Sequence, residues 1–129
     1  MSAPKPVDRR TIARRRARLT KMVLALPGTT VEGDQHLSLA CKGKKFGYYL
    51  DDHHGDGVVA LSCKAEPGVN RALVDAEPER FFIPAYTGPR GWMAIRLDLA
   101  EIDWDEVEAF VNDAYRLTAP AKAGRRRSP

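Results

Sequence analysis

The stretch QHLSLACKGKKFGYYLDDHHGDGVVALSC, residues 35–63, decides the fold. From Gln35 to Cys41 the residues alternate. Leu37, Leu39 and Cys41 fall on one face and His36, Ser38 and Ala40 on the other, the period-two pattern of a half-buried strand. Lys42-Gly43-Lys44-Lys45 reads as a turn, and Phe46 to Leu50 returns as a second strand. Asp51-Asp52-His53-His54-Gly55-Asp56-Gly57 is a polar hairpin loop in which Gly55 and Gly57 are free to take positive φ. Val58 to Cys63 is a third strand, so the stretch predicts an antiparallel meander.

Upstream, the spacing predicts a helix from an N-cap at Asp8 to about Leu26. Ile12, Leu19, Met22, Val23 and Leu26 recur at three, four and seven and share one face. Pro27-Gly28 stops it. Downstream, Pro67 is placed to open a short helix with Val69, Ala72, Leu73 and Ala76 facing inward, ending by Pro78. Phe81 to Ile83 and Trp92 to Leu97 read as two more strands, separated by a loop from Pro84 to Gly91 whose Gly and Pro content opposes helix. Asp103 caps a last helix, with Glu106 completing a capping box and Trp104, Val107, Phe110, Val111 and Ala114 forming its buried stripe. The order is α-β-β-β-α-β-β-α, which argues for an α+β two-layer domain with an antiparallel sheet. Residues 1–7 read as a mobile lead-in, 8–119 as one domain, and 120–129 as a disordered basic tail without apolar anchors.

Charge divides the chain unevenly. The formal net charge of +4 splits into +7 over residues 1–26, −7 over 27–119 and +4 over 120–129. Any polyanion must therefore be met by basic groups set on an acidic body. The dense run Arg9, Arg10, Arg14, Arg15, Arg16, Arg18 and Lys21 on the first helix is one candidate surface for phosphates. Lys42, Lys44 and Lys45 at the first hairpin and Arg125, Arg126 and Arg127 in the tail are the others. No apolar run is long enough to cross a bilayer and no secretory h-region is present, so the expected location is cytoplasmic, with no membrane partner and a monomer as the default. Cys41 and Cys63 read as two small buried thiols.

Other constellations carry less chemistry. Carboxylates and imidazoles crowd the 51–56 loop, but their spacing matches neither a zinc site nor a calcium loop, and no metal or cofactor is expected. Ser38, Ser62 and the thiols have no base at motif spacing, so no catalytic residue is assigned and the chain is not read as an enzyme. Tyr86, Arg90 and Trp92 bracket a loop suited to line a ligand pocket, with Arg90 as an anion clamp and the aromatics as stacking surfaces.

Five short motifs carry a resemblance. They are Leu26-Pro27-Gly28-Thr29, Gly43-Lys44-Lys45-Phe46, Pro84-Ala85-Tyr86, Gly91-Trp92 and Asp113-Ala114-Tyr115-Arg116-Leu117. Their order over residues 8–118 resembles the MmcQ/YjbR family of small bacterial proteins. The resemblance implies a two-layer fold similar to bacterial frataxin-like proteins and secretion chaperones. It also implies DNA binding, with paired β-hairpins as wings, and no shared catalytic set. Of the two hairpins, Lys42–Lys45 suits phosphates and the one bearing Asp51, Asp52 and Asp56 would repel them. The expected function is thus nucleic-acid binding of weak sequence preference. The alternative is a protein-interaction or small-ligand adaptor working through the sheet and the Tyr86–Trp92 loop.

Overall fold

Asp8 caps the first helix as expected, its carboxylate accepting the Thr11 N–H at 2.8 Å and held below the usual range by that bond. The computed structural model describes residues 6–119. In it, helix α1 (Arg9–Leu24) is followed by strands β1 (Thr29–Gly33), β2 (Leu37–Cys41), β3 (Lys44–Asp51) and β4 (Val59–Cys63). Helix α2 (Val69–Ala76), strands β5 (Phe81–Phe82) and β6 (Met93–Arg96), and helix α3 (Trp104–Thr118) complete it. The strands form one antiparallel sheet in the order β1-β2-β3-β4-β6-β5.

The meander is present with one addition, the strand β1. Thr29-Thr30-Val31-Glu32-Gly33 is largely exposed and sits at the sheet edge, so it lacks the apolar alternation that marks β2. The β2–β3 connection is tighter than the expected four-residue turn. Cys41 pairs with Lys44, leaving Lys42 and Gly43 at φ 50 and 82, the left-handed pair of a two-residue hairpin. Beyond it Leu39 faces Gly47 while Ala40 faces Lys45, so Phe46 is an extra residue in β3. That bulge turns the Phe46 ring into the core, edge-on to Tyr115 of α3. Gly47 suits the close approach there, because a Cβ would stand 3.1 Å from both Leu39 Cδ1 and the Ser62 carbonyl, tighter than an ordinary contact.

One sheet face, carrying Leu37, Leu39, Tyr49, Leu61 and Ile95, packs with Ile12, Leu19 and Val23 of α1 and Val107, Val111 and Ala114 of α3. Each large apolar side chain among them contributes about 1.5–3 kcal/mol by leaving water. The first helix closes on the Leu26–Thr29 motif. Thr29 Oγ1 lies 2.8 Å from the carbonyls of both Val23 and Leu26, Gly28 takes φ 76, and the Tyr115 hydroxyl donates to the Pro27 carbonyl at 2.7 Å. The first turn, the end of α1 and the end of α3 are thereby tied together.

Further details differ from the expectation. Helix α2 begins at Val69, not Pro67, and Ala72 and Ala76 are exposed; its buried residue is Asn70, whose amide serves the next loop. The Pro84–Gly91 loop contains a single 3-10 turn at Gly88–Arg90. Asp103 caps α3, accepting from Asp105 and Glu106, but the Glu106 carboxylate turns to Arg80 instead of completing the box. Val7 is not loose, since its N–H donates to the Asp98 carbonyl at 2.8 Å. The tail expected to be disordered lies outside the described residues.

Cys41 and Cys63 are free and buried, and desolvation pushes the Cys63 thiol up from 9.0 to about 12. Below pH 9 both folded and unfolded Cys63 are neutral. Above it the unfolded thiol ionises while the folded one does not, so stability declines from about pH 9 upward. With a disulfide reagent at pH 8, Cys63 should react only at the rate of global unfolding. A fast phase accounting for two thiols in native protein would contradict this burial.

Candidate functional site

The cations of α1 separate into two groups with different duties. At ~100° per residue, Arg10, Lys21, Arg14 and Arg18 fall within an arc of about 80° on the outward face. Arg9, Arg15 and Arg16 lie on the flanks and are engaged by the body. Arg9 forms an ion pair with the nearly buried Asp51. Arg15 donates to the carbonyls of Leu97 at 2.7 Å, Leu99 at 2.5 Å and Ala100 at 3.1 Å, and its burial lowers its pKa. Arg16 donates to the Asp34 and Gln35 carbonyls and stacks 5.3 Å over the Tyr49 ring. Within the outward group, Arg18 lies 4.5 Å over Trp104 and Arg14 reaches Thr11 Oγ1, both remaining exposed.

A second basic surface follows from topology. β3 runs from Lys44 to Asp51, about 25 Å at a strand's rise, so the two hairpins it joins lie at opposite ends of the sheet. They cannot act side by side as wings. The Asp51–Gly57 loop shares its end with Asp34, between β1 and β2, and that end is acidic. The Lys42–Gly43 turn occupies the other end. The Lys42 N–H bonds to the Gly28 carbonyl, Lys21 sits in the last turn of α1, and the Lys64 N–H bonds to the Phe46 carbonyl. Lys21, Lys42, Lys44, Lys45 and Lys64 make no ion pair among the described residues. Nearby Glu66 and Asp113 are met by Arg116. Helix α3 also ends here, through Tyr115; Lys122, Arg125, Arg126 and Arg127 lie outside the described residues. Lys64 is absent from the cations singled out in the sequence, although its position directly after the third strand puts it at this end.

The sheet's second face carries a different feature. Tyr48, Ser62, Ala94 and Phe82 stand in one cross-strand row, small residues in the middle and aromatic ones outside. The segment from Ile83 to Thr87 lies over this row and leaves a cleft of about 430 Å³, with His53 and Asp56 at its rim. Tyr86 lines the cleft and is 75% exposed. Trp92 is instead buried against Tyr48, ring centroids 5.8 Å apart, and Arg90 lies over the outer side of Trp92, not in the lining. Asn70 fixes the loop by donating to the carbonyls of Gly88 at 3.2 Å and Trp92 at 2.9 Å. His36 and His53 meet edge to face at 5.2 Å near the acidic end. Among the described residues no group of three or more His, Cys, Asp or Glu is arranged to hold a metal ion.

The division among the arginines has a measurable consequence. Arg15→Gln should destabilise the fold by roughly 1–3 kcal/mol, since three carbonyls lose a charged donor. Arg14→Gln should lie within about 0.5 kcal/mol of the parent, as for an exposed surface site. Urea unfolding of both variants checks it, and equal effects would refute the division.

No curated protein matches the sequence. The fold matches the crystal structure of Deinococcus radiodurans protein DR2400, described as a DUF419 domain, with a TM-score of 0.64 and 18% identity, covering 78% of this chain and 75% of that one. The YjbR family model matches residues 24–117, a span running from the end of α1 through nearly all of α3. With that match over most of its length, the chain belongs to the YjbR family.

Proposed function

We propose that this protein binds nucleic acid through phosphate contacts made by the basic end and by the outward stripe of α1. The observation that carries the reading is the convergence there of Lys21, Lys42, Lys44, Lys45 and Lys64 beside the last turn of α3. Lysines without intramolecular ion pairs are open to phosphates, and the counterions that those phosphates release on being neutralised drive the binding. Arg10, Arg14 and Arg18 extend the same surface along α1 by about 12 Å. Arg9, Arg15 and Arg16 are left out of the binding surface because ion pairing and carbonyl bonding already engage them. Acidic groups at the far end repel a polyanion and orient the domain with its basic end inward. Nothing among the described residues resembles a recognition helix seated to read base edges, so the binding is to backbone and of weak sequence preference.

Fluorescence anisotropy with a labelled random-sequence duplex tests it. The full chain should bind at about 50 mM salt and weaken at least tenfold by about 200 mM. Replacing Lys21, Lys44 and Lys45 with Gln should lower the slope of log K against log salt by about 0.9 for each phosphate no longer neutralised. Deleting residues 120–129 should lower it again. No binding at the lower salt, or a slope unchanged in the triple variant, would overturn the reading.

A further inference from the structure

We infer that the cleft on the second face of the sheet binds a small planar organic molecule that is neutral or cationic. This inference is independent of the nucleic-acid reading, because the cleft lies on a different surface and has no Lys or Arg in its lining.

The cleft exists because of the sheet's own side-chain sizes. Ala60, Ser62 and Ala94 on the two inner strands are small, whereas Tyr48 and Leu50 on β3 and Phe82 on β5 are large. A trough flanked by aromatic rings results. The covering loop cannot collapse into it. Asn70 holds the loop from beneath at two carbonyls, and the Gly88 N–H bonds back to the Pro84 carbonyl at 2.9 Å. Gly88 is packed so closely that a Cβ would stand 2.3 Å from Ile83 Cγ2. About 430 Å³ therefore stays open, within the range of small-molecule sites and lined in the same manner, apolar walls with few polar groups.

Three features point to the ligand. Tyr48, Phe82 and Tyr86 offer ring faces or edges to a flat molecule, and Tyr86 remains 75% exposed at the mouth although its loop is fixed. Ser62 is only 2% exposed and lines the cleft, a polar side chain set among mostly apolar walls. A hydroxyl so placed offers a ligand one oriented polar contact. The single carboxylate in the lining, Asp56, has one oxygen engaged by the Val58 N–H at 2.9 Å. With no Lys or Arg in the lining to offset it, it favours an amine over an acid.

The test compares tryptamine, indole and indole-3-acetate on the full chain, by calorimetric titration and by amide chemical shifts. Tryptamine and indole should bind at roughly millimolar strength, as expected for fragments of this size. Their shifts should centre on Tyr48, Ser62 and Tyr86, and indole-3-acetate should be at least about fivefold weaker than tryptamine. Tyr86→Ala should weaken tryptamine about three- to tenfold, read at a temperature at which circular dichroism shows the variant fully folded. Asp56→Asn should narrow the gap between the amine and the acid. Absence of saturable binding by all three probes, shifts centred elsewhere, or indifference to Tyr86→Ala would each overturn the inference. None of these outcomes touches duplex binding.

Discussion

Both surfaces proposed to bind ligands depend on how the six-stranded sheet disposes of its two faces. Helices α1 and α3 cover one face with apolar side chains, and that layer is dense enough to bury Tyr49 and Phe46 completely. The other face has no such pair of long helices. Its inner strands carry Ala60, Ser62 and Ala94, residues small enough to be covered by a loop, between the larger Tyr48 and Leu50 on one side and Phe82 on the other. A full layer of secondary structure stands about 10 Å above a sheet, whereas a loop can lie closer. The choice of small residues on one face therefore decides that this face is covered thinly, and thin coverage is what leaves a cleft.

The same sheet sets the electrostatics. Because β3 is shared by both hairpins, lysines at one end and aspartates at the other are separated by the whole strand. An acidic body and a basic surface thus coexist without neutralising each other pair by pair. The arginines that do meet the body contribute to architecture. Arg15 ties α1 to the segment after β6, where Asp98, 1% exposed, accepts from Arg96 and from the Val59 N–H. A buried carboxylate is tolerated only with such partners. Arg9 plays the corresponding part at Asp51, so the basic helix is docked through its own charges.

Much of this was legible in the sequence, for identifiable reasons. Alternation in β2, the Asp8 and Asp103 caps, and the glycines of the 51–57 loop each express a local rule, and each is obeyed locally. What escaped reading depended on distant partners. β1 is a strand because β2 offers it an edge, not because its residues alternate. Asn70 looks like a polar position on a short helix, and only the Gly88 and Trp92 carbonyls explain its burial. Arg15 and Arg10 are indistinguishable by type and neighbourhood in the sequence, yet one is bound to three carbonyls and the other faces outward. Sequence reasoning reaches the cleft through Tyr86 but misplaces Arg90 and Trp92 in its lining, since no local rule reports that β3, β4 and β5 align Tyr48, Ser62 and Phe82 in one row.

The motifs that carry the family resemblance have mostly structural duties, and this bears on what membership can say. Gly28 and Thr29 close α1, and Tyr115 fastens that turn to α3. Gly43 permits the two-residue hairpin, Gly91 takes φ 93, and Trp92 fills the space beside Tyr48. In this chain a substitution at any of them removes a contact or a turn the fold uses, whatever the protein binds. The Pro84-Ala85-Tyr86 motif differs in placing a large aromatic, 75% exposed, in the lining of a cleft. An amphipathic ring held at such a rim offers an apolar face and a polar tip to whatever enters, at little entropic cost. The motifs therefore fix the scaffold through most of their residues and leave Lys44, Lys45 and Tyr86 exposed, the residues on which the two proposed binding surfaces draw.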